Sequence, residues 1–134
     1  MGRSVLILLD THVVIWQAGQ PDKLSKAATA AMVEARRGDG LAISGVTLLE
    51  VAMLSSKGCI NLTTSLEEFM YALERRFVVL PITGRVCILA FDLPSNYPND
   101  PVDRIIGATA LVEGLTLITA DAAIRKSKAV PTIW

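Results

Sequence analysis

Short apolar runs of strand length alternate along this chain with segments of helical period, and nothing else constrains its fold as strongly. Residues 5–9 are an unbroken run of β-branched and leucine side chains, the pattern of a strand covered on both faces of a parallel sheet. Further strands are expected at 41–46, 78–82 and 115–119, with a short fifth at 130–134. Helices are expected at 24–37, 47–56, 65–76, 83–92, 101–113 and 122–128, and His12, Val13, Ile15 and Trp16 belong to an apolar helix after the first strand. The punctuation agrees with this division. Ser65 and Glu68 make a capping box, Pro81 suits only a strand end, Pro101 fits a first helical turn, and Gly114 follows as the residue that ends that helix. A βα alternation of this kind predicts an α/β protein, a three-layer α/β/α sandwich around a mostly parallel sheet of four to five strands. With 134 residues and no internal repeat, the chain reads as a single domain, 1–134.

Composition narrows the class. Hydrophobic residues make up 51% and charged residues 19%, with a mean hydropathy of +0.46, which excludes a disordered chain and predicts apolar surface for a permanent partner or a homodimer. Lys+Arg and Asp+Glu stand at 13 each, so no bulk basic charge advertises a nucleic acid. Cys59 and Cys87 lie far apart in a sequence without a signal peptide, which reads as reduced thiols in a cytoplasmic protein. No apolar run approaches the roughly 18 residues of a membrane span. A disulfide-stapled secreted module, a membrane protein and a c-type haem protein are excluded.

Function in such sheets sits beyond the C-terminal ends of the strands. Asp10 follows the first strand, Glu50 lies one helical turn past the second, and Asp121 follows the fourth. Asp103 sits on the first turn of the helix feeding the fourth strand, so it too starts at that edge. Taken singly, each acid has a structural explanation: Glu50 as return partner of a Thr47 capping box, Asp103 as a favourable charge at a helix N-terminus, Asp121 as an N-cap, Asp10 as a turn residue. Four acids on one rim are a different matter, because clustered carboxylates repel and a hard divalent cation relieves them. Mg²⁺ or Mn²⁺ suits carboxylate and water oxygens, whereas zinc finds one histidine and no cysteine spacing. Without the four, nine acids face 13 bases, a balance of +4. Arg104, Arg125, Lys126 and Lys128 stand near the proposed centre, which suits a polyanion.

Around the quartet, Thr11 and Thr119 are candidates for orienting a carboxylate or a water, and Arg104 for pairing with a carboxylate or meeting a substrate phosphate. His12 reads as a packed or supporting histidine, and Asp100, just before Pro101, as an N-cap outside the metal shell. Trp16, Phe69, Met70 and Tyr71 have the chemistry to stack bases, but core or dimer packing is the commoner reason for such residues, and none is assigned as an RNA contact.

At these residues the sequence resembles the PIN-domain ribonucleases, specifically the VapC toxins of prokaryotic toxin–antitoxin modules. The matching blocks are residues 8–16, 44–50, 100–110 and 114–121, and their order and spacing cover nearly the whole chain; the terminal 130–134 is similar to the family's closing strand. The resemblance implies that Asp10, Glu50, Asp103 and Asp121 bind Mg²⁺ or Mn²⁺. It also implies a single-strand-directed endoribonuclease, a homodimer, and neutralisation by a VapB-like antitoxin whose tail enters the active-site groove. The chain departs from close relatives at Pro98 and Asn99, where His-Arg is frequent, at Leu49, where many have Trp, and at Ala120, where many have a basic residue.

Competing classes have distinguishable signatures. A phosphoacceptor receiver needs paired acids after the first strand, and an Asp-x-Asp phosphatase needs an acid at position 12; Thr11 and His12 stand there instead. A PIN nuclease of RNA processing, and a catalytically silent interaction module of the same fold, remain as alternatives. The silent module binds no Mn²⁺.

Overall fold

In the computed structural model, which describes residues 6–134, Ser44 shows how local chemistry sets an element boundary. Its backbone is extended, and its hydroxyl accepts the Val46 N–H at 3.1 Å, so it closes strand β2 (Leu41–Ser44) and caps helix α3 (Gly45–Ser56). The expected strand over 41–46 is therefore two residues too long, because a cap outweighs the β-branched Val46. The Thr47 capping box is likewise corrected: Thr47 is buried inside α3 and its hydroxyl bonds that of Thr11 at 3.0 Å.

The remaining elements follow the same grammar. Strand β1 (Ile7–Leu9) leads into α1 (Thr11–Gly19), a 3-10 turn at Pro21–Lys23, and α2 (Lys26–Arg37), capped by Ser25. Helix α4 (Leu66–Arg76) begins on Ser65, whose hydroxyl accepts from Glu68 N. Strand β3 (Val78–Leu80) stops just before Pro81, and Thr83 caps α5 (Gly84–Ala90). Asp100 caps α6 (Pro101–Glu113), which Gly114 ends at φ 67°. The Leu115 N–H bonds back to Ala110 O at 2.8 Å in that ending, so β4 (Leu117–Ile118) begins later than the expected 115. Helix α7 (Ala122–Ser127) and β5 (Thr132–Ile133) complete the chain. Of the first strand expected over 5–9, position 5 lies outside the described residues.

All five strands are parallel, in the order β3-β2-β1-β4-β5. Pleating sends Leu8, Ala42 and Leu117 to one face, where Ile106 and Ala110 of α6 and Ile124 of α7 cover them. Leu9, Ile43 and Ile118 point the other way, against Val13 and Val14 of α1, Met32 and Ala35 of α2, and Leu73 of α4. Helix α5 packs outside this sandwich, on α6, through Val86, Ala90 and Ala108. The three-layer expectation holds, and the sheet is wholly parallel.

The chain winds from β1 outward through β2 to β3, then returns to the far side of β1 for β4 and β5. The reversal opens a crevice beyond the C-terminal ends of β1 and β4, the place where open α/β sheets bind their ligands. No helix among the described residues is long and apolar enough to cross a membrane.

Candidate active site

Asp10 and Thr119 face each other across that crevice. Buried at the end of β1, Asp10 caps α1 by accepting the Thr11 N–H at 2.9 Å on Oδ1. Its Oδ2 accepts the Thr119 hydroxyl at 2.7 Å. The same Thr119 oxygen receives the Asp121 N–H at 3.1 Å, while Asp121 Oδ1 caps α7 through Ile124 N at 3.0 Å. Thr119 thus ties the strand-end acids of β1 and β4 into one hydrogen-bonded unit.

The other two acids join by field and by one side-chain bond. Glu50 bonds Thr11, which lowers its pKa, but burial and the charges of Asp10 and Asp100 raise it above the usual carboxylate value. Asp103 is pushed up to about 7, first by burial and then by Asp10, Asp100, Asp121 and Glu50 in turn. Every acid of the expected quartet therefore lies within reach of the Asp103 charge. Asp100 does as well: it is the α6 cap, accepting Val102 N at 2.7 Å, and its charge also presses on the centre.

The four are gathered into one field but not onto one point. Among the described residues, no three His, Cys, Asp or Glu side chains stand close enough together to hold a metal ion. Carboxylates gathered in a partly desolvated pocket repel one another, and a cation between them would relieve that repulsion. The donor set still fits a hard divalent cation: all its atoms are carboxylate oxygens, and Glu50, Asp103 and Asp121 are half-buried side chains with torsional freedom.

His12 is a supporting residue. Its Nε2 accepts the Ala120 N–H at 2.9 Å, so the proton of the neutral ring is on Nδ1, which stands 3.6 Å from Asp10 Oδ2.

Arg104 corrects an expectation. Its guanidinium is buried and donates to Ala90 O at 3.1 Å and Tyr97 O at 3.2 Å, so it clamps both ends of the α5–α6 connection instead of meeting a carboxylate or a phosphate. A buried guanidinium needs its donors satisfied, and two carbonyls at the neighbouring chain turn satisfy them.

Tyr97 escaped the sequence reading. It is 1% exposed, its hydroxyl donates to the Asp103 carbonyl at 3.0 Å, and its ring lies against Gly107 one turn further along α6. The phenol thereby fixes the turn that carries Asp103. Its own pKa is raised, by burial first and then by Asp10, Asp103 and Asp121. The available signal was paired: an aromatic between Pro94 and Pro98, and an isolated glycine in an apolar helix.

An all-parallel sheet with acids gathered at its topological switch point defines a small α/β domain with a ligand crevice at its carboxyl edge. More particularly, this chain belongs to the PIN-domain family, whose model matches residues 7–129. It is 35% identical over 122 residues, 91% of this chain and 92% of the other, to Ribonuclease VapC22 of Mycobacterium tuberculosis. Its fold is similar to VapBC2 from Rickettsia felis bound to a DNA fragment from their promoter, with a TM-score of 0.69, 15% identity, and coverage of 95% of this chain and 96% of that one. VapBC-1 from nontypeable Haemophilus influenzae gives a TM-score of 0.67 at 18% identity, with the same two coverages.

Proposed function

We propose that this PIN domain is an endoribonuclease toxin that hydrolyses RNA with Mg²⁺ or Mn²⁺ held by Asp10, Glu50, Asp103 and Asp121, acts in the cytoplasm, and is neutralised by a VapB-like antitoxin. The observation that carries the reading is the gathering of acids at the β1/β4 switch point, where Thr119 ties Asp10 to Asp121 and the Asp103 carboxyl is pushed up by burial and by Asp10, Asp100, Asp121 and Glu50. A pocket so short of positive charge is built to receive it. The ribonuclease named among its relatives, 35% identical along almost the whole chain, supports the substrate class. The toxin–antitoxin complexes that share its fold support the partner.

A bound divalent ion supplies a polarised water and screens the charge that builds on the scissile phosphate. Within the chain, Thr11 N–H and the Thr119 hydroxyl hold both oxygens of Asp10 in a fixed orientation. Glu50, raised above the ordinary carboxylate value by burial and half-exposed at the crevice, would accept the proton released by the attacking water. Asp103 and Asp121 are carried on helix starts fixed by Tyr97 and by the Ile124 cap.

The test is cleavage of a cell's total RNA by the purified protein, with Mg²⁺, with Mn²⁺ and with chelator, followed by mapping of new 5′ ends. Discrete new ends are expected with metal and none with chelator. Asp10→Asn is expected to weaken Mn²⁺ binding by at least about ten-fold. Equal cleavage with chelator sinks the metal assignment, and no Mn²⁺ binding at all favours the silent module.

The homodimer implied by the resemblance has support in α5 and the residue after it, where Ile88 is 77% and Phe91 69% exposed. Two such side chains facing water suit burial against a second copy. Phe91→Glu is expected to shift sedimentation from dimer to monomer at micromolar protein. An unchanged dimer places the interface elsewhere.

A further inference from the structure

We propose that His12, Trp16 and Trp134 form a stacking row for the nucleobases of the single-stranded RNA that flanks the scissile phosphate, a subsite that rests on the nuclease reading above. Helix α1 sorts its side chains by face. Val13 and Val14 are buried and Ile15 packs on the core, while His12 and Trp16, one turn apart, occupy the remaining stripe. The two rings stand 5.0 Å apart at 56°. Trp134 follows β5, so it arrives at the same carboxyl edge of the sheet, and its indole lies 6.0 Å from that of Trp16 at 55°. All three side chains are half-buried, so each ring keeps a share of its surface in solvent.

The row starts at the reaction centre. His12 is pinned between Asp10 Oδ2 and the Ala120 N–H, so its ring is the first aromatic surface beside the acidic pocket. Cations flank the row: the Lys23 ammonium sits 5.4 Å over the Trp16 ring, and the Arg125 guanidinium reaches the Ala120 carbonyl at 3.4 Å. Aromatic faces interleaved with positive charge are the means by which proteins hold single strands, with bases on the rings and phosphates on the cations. Core packing accounts for Val13 and Ile15. Trp134 also packs against the core, but core packing does not account for His12 and Trp16, which leave the core stripe beside Asp10 with Lys23 and Arg125 alongside.

The chain has two tryptophans, and both lie in this row, so intrinsic indole emission reports on it alone. A short oligoribonucleotide titrated into the full-length protein with chelator present, which prevents cleavage, is expected to quench that emission. With Mn²⁺ restored, Trp16→Leu is expected to raise KM for the same RNA about ten-fold, leave Mn²⁺ affinity unchanged, and be largely rescued by Trp16→Phe. An oligomer carrying abasic positions is expected to bind the wild-type protein as weakly as the intact oligomer binds Trp16→Leu, with no further loss when the two changes are combined. If Trp16→Leu proves poorly folded by its melting temperature, Trp134→Leu gives the same comparison. Unchanged emission, an unchanged KM, or additive losses in the abasic cycle would overturn the proposal. So would weakened antitoxin binding with KM intact, which makes the row a protein-docking face. A wild-type protein that is quenched by RNA yet neither cleaves it nor binds Mn²⁺ supports the row and removes the nuclease reading beneath it.

Discussion

Asp103→Asn is expected to reduce RNA cleavage by at least about 100-fold while raising the melting temperature of the metal-free protein. Both effects have one cause. In the folded protein the Asp103 carboxyl holds its proton up to about 7, against an ordinary value of 3.8, because burial and four neighbouring acids disfavour its charge. Between those two values the folded chain keeps a proton that the unfolded chain has lost, so stability falls as pH rises from about 4 to 7 and is lowest above 7. Asparagine never carries the charge. After solvent screening at this half-exposed group, the expected gain at pH 8 is about 1 kcal/mol, or about 3–5 °C, vanishing near pH 4. Mn²⁺ should raise the melting temperature of the wild-type protein and leave that of the variant nearly unmoved. Thermal unfolding at pH 4 and 8, with and without Mn²⁺, reads all of this; cleavage equal to wild type would remove Asp103 from the site.

Gly107→Ala is expected to destabilise the protein by about 3 kcal/mol, although alanine at an ordinary helix interior position would stabilise it by about 0.5–1 kcal/mol. A Cβ at Gly107 would fall on the Tyr97 hydroxyl and Cζ. Tyr97 is fully buried, between α6 and the loop that Arg104 ties down, so its ring has nowhere to go. Overpacking costs about 1–3 kcal/mol, and loss of the bond to the Asp103 carbonyl adds about 1 kcal/mol. Urea denaturation should show the shift in midpoint, and Asp103 should lose its place with Tyr97, lowering cleavage in the fraction still folded. A midpoint at or above wild type would mean that the phenol is not a rigid prop.

Much of this architecture was legible in the order of residues. Runs such as 41–43 and 117–118 are apolar on both sides because both faces of the sheet are covered, and that pattern is local. Caps were legible too: Ser65, Thr83 and Asp100 each bond an N–H two or three residues ahead, within the span a short sequence window covers, whereas the helix expected from 24 begins only after the Ser25 cap. Boundaries were less so. Ser44 and Thr47 are both competent caps, and the choice between them was made by Thr11, 36 residues away from Thr47, whose hydroxyl takes Thr47 into the interior.

The sequence by itself determined which acids stand at strand ends and helix starts, since βα connectivity sends those positions to one edge. Tertiary structure alone decided how they interact. It fixed Asp10 through Thr119 across 109 positions, turned Arg104 inward to two carbonyls, and brought Tyr97 beneath Asp103. Periodicity reports which face of an element is apolar. Where a polar side chain goes on the far side of the sheet depends on which unsatisfied donor or acceptor it meets there, and that partner is remote in sequence.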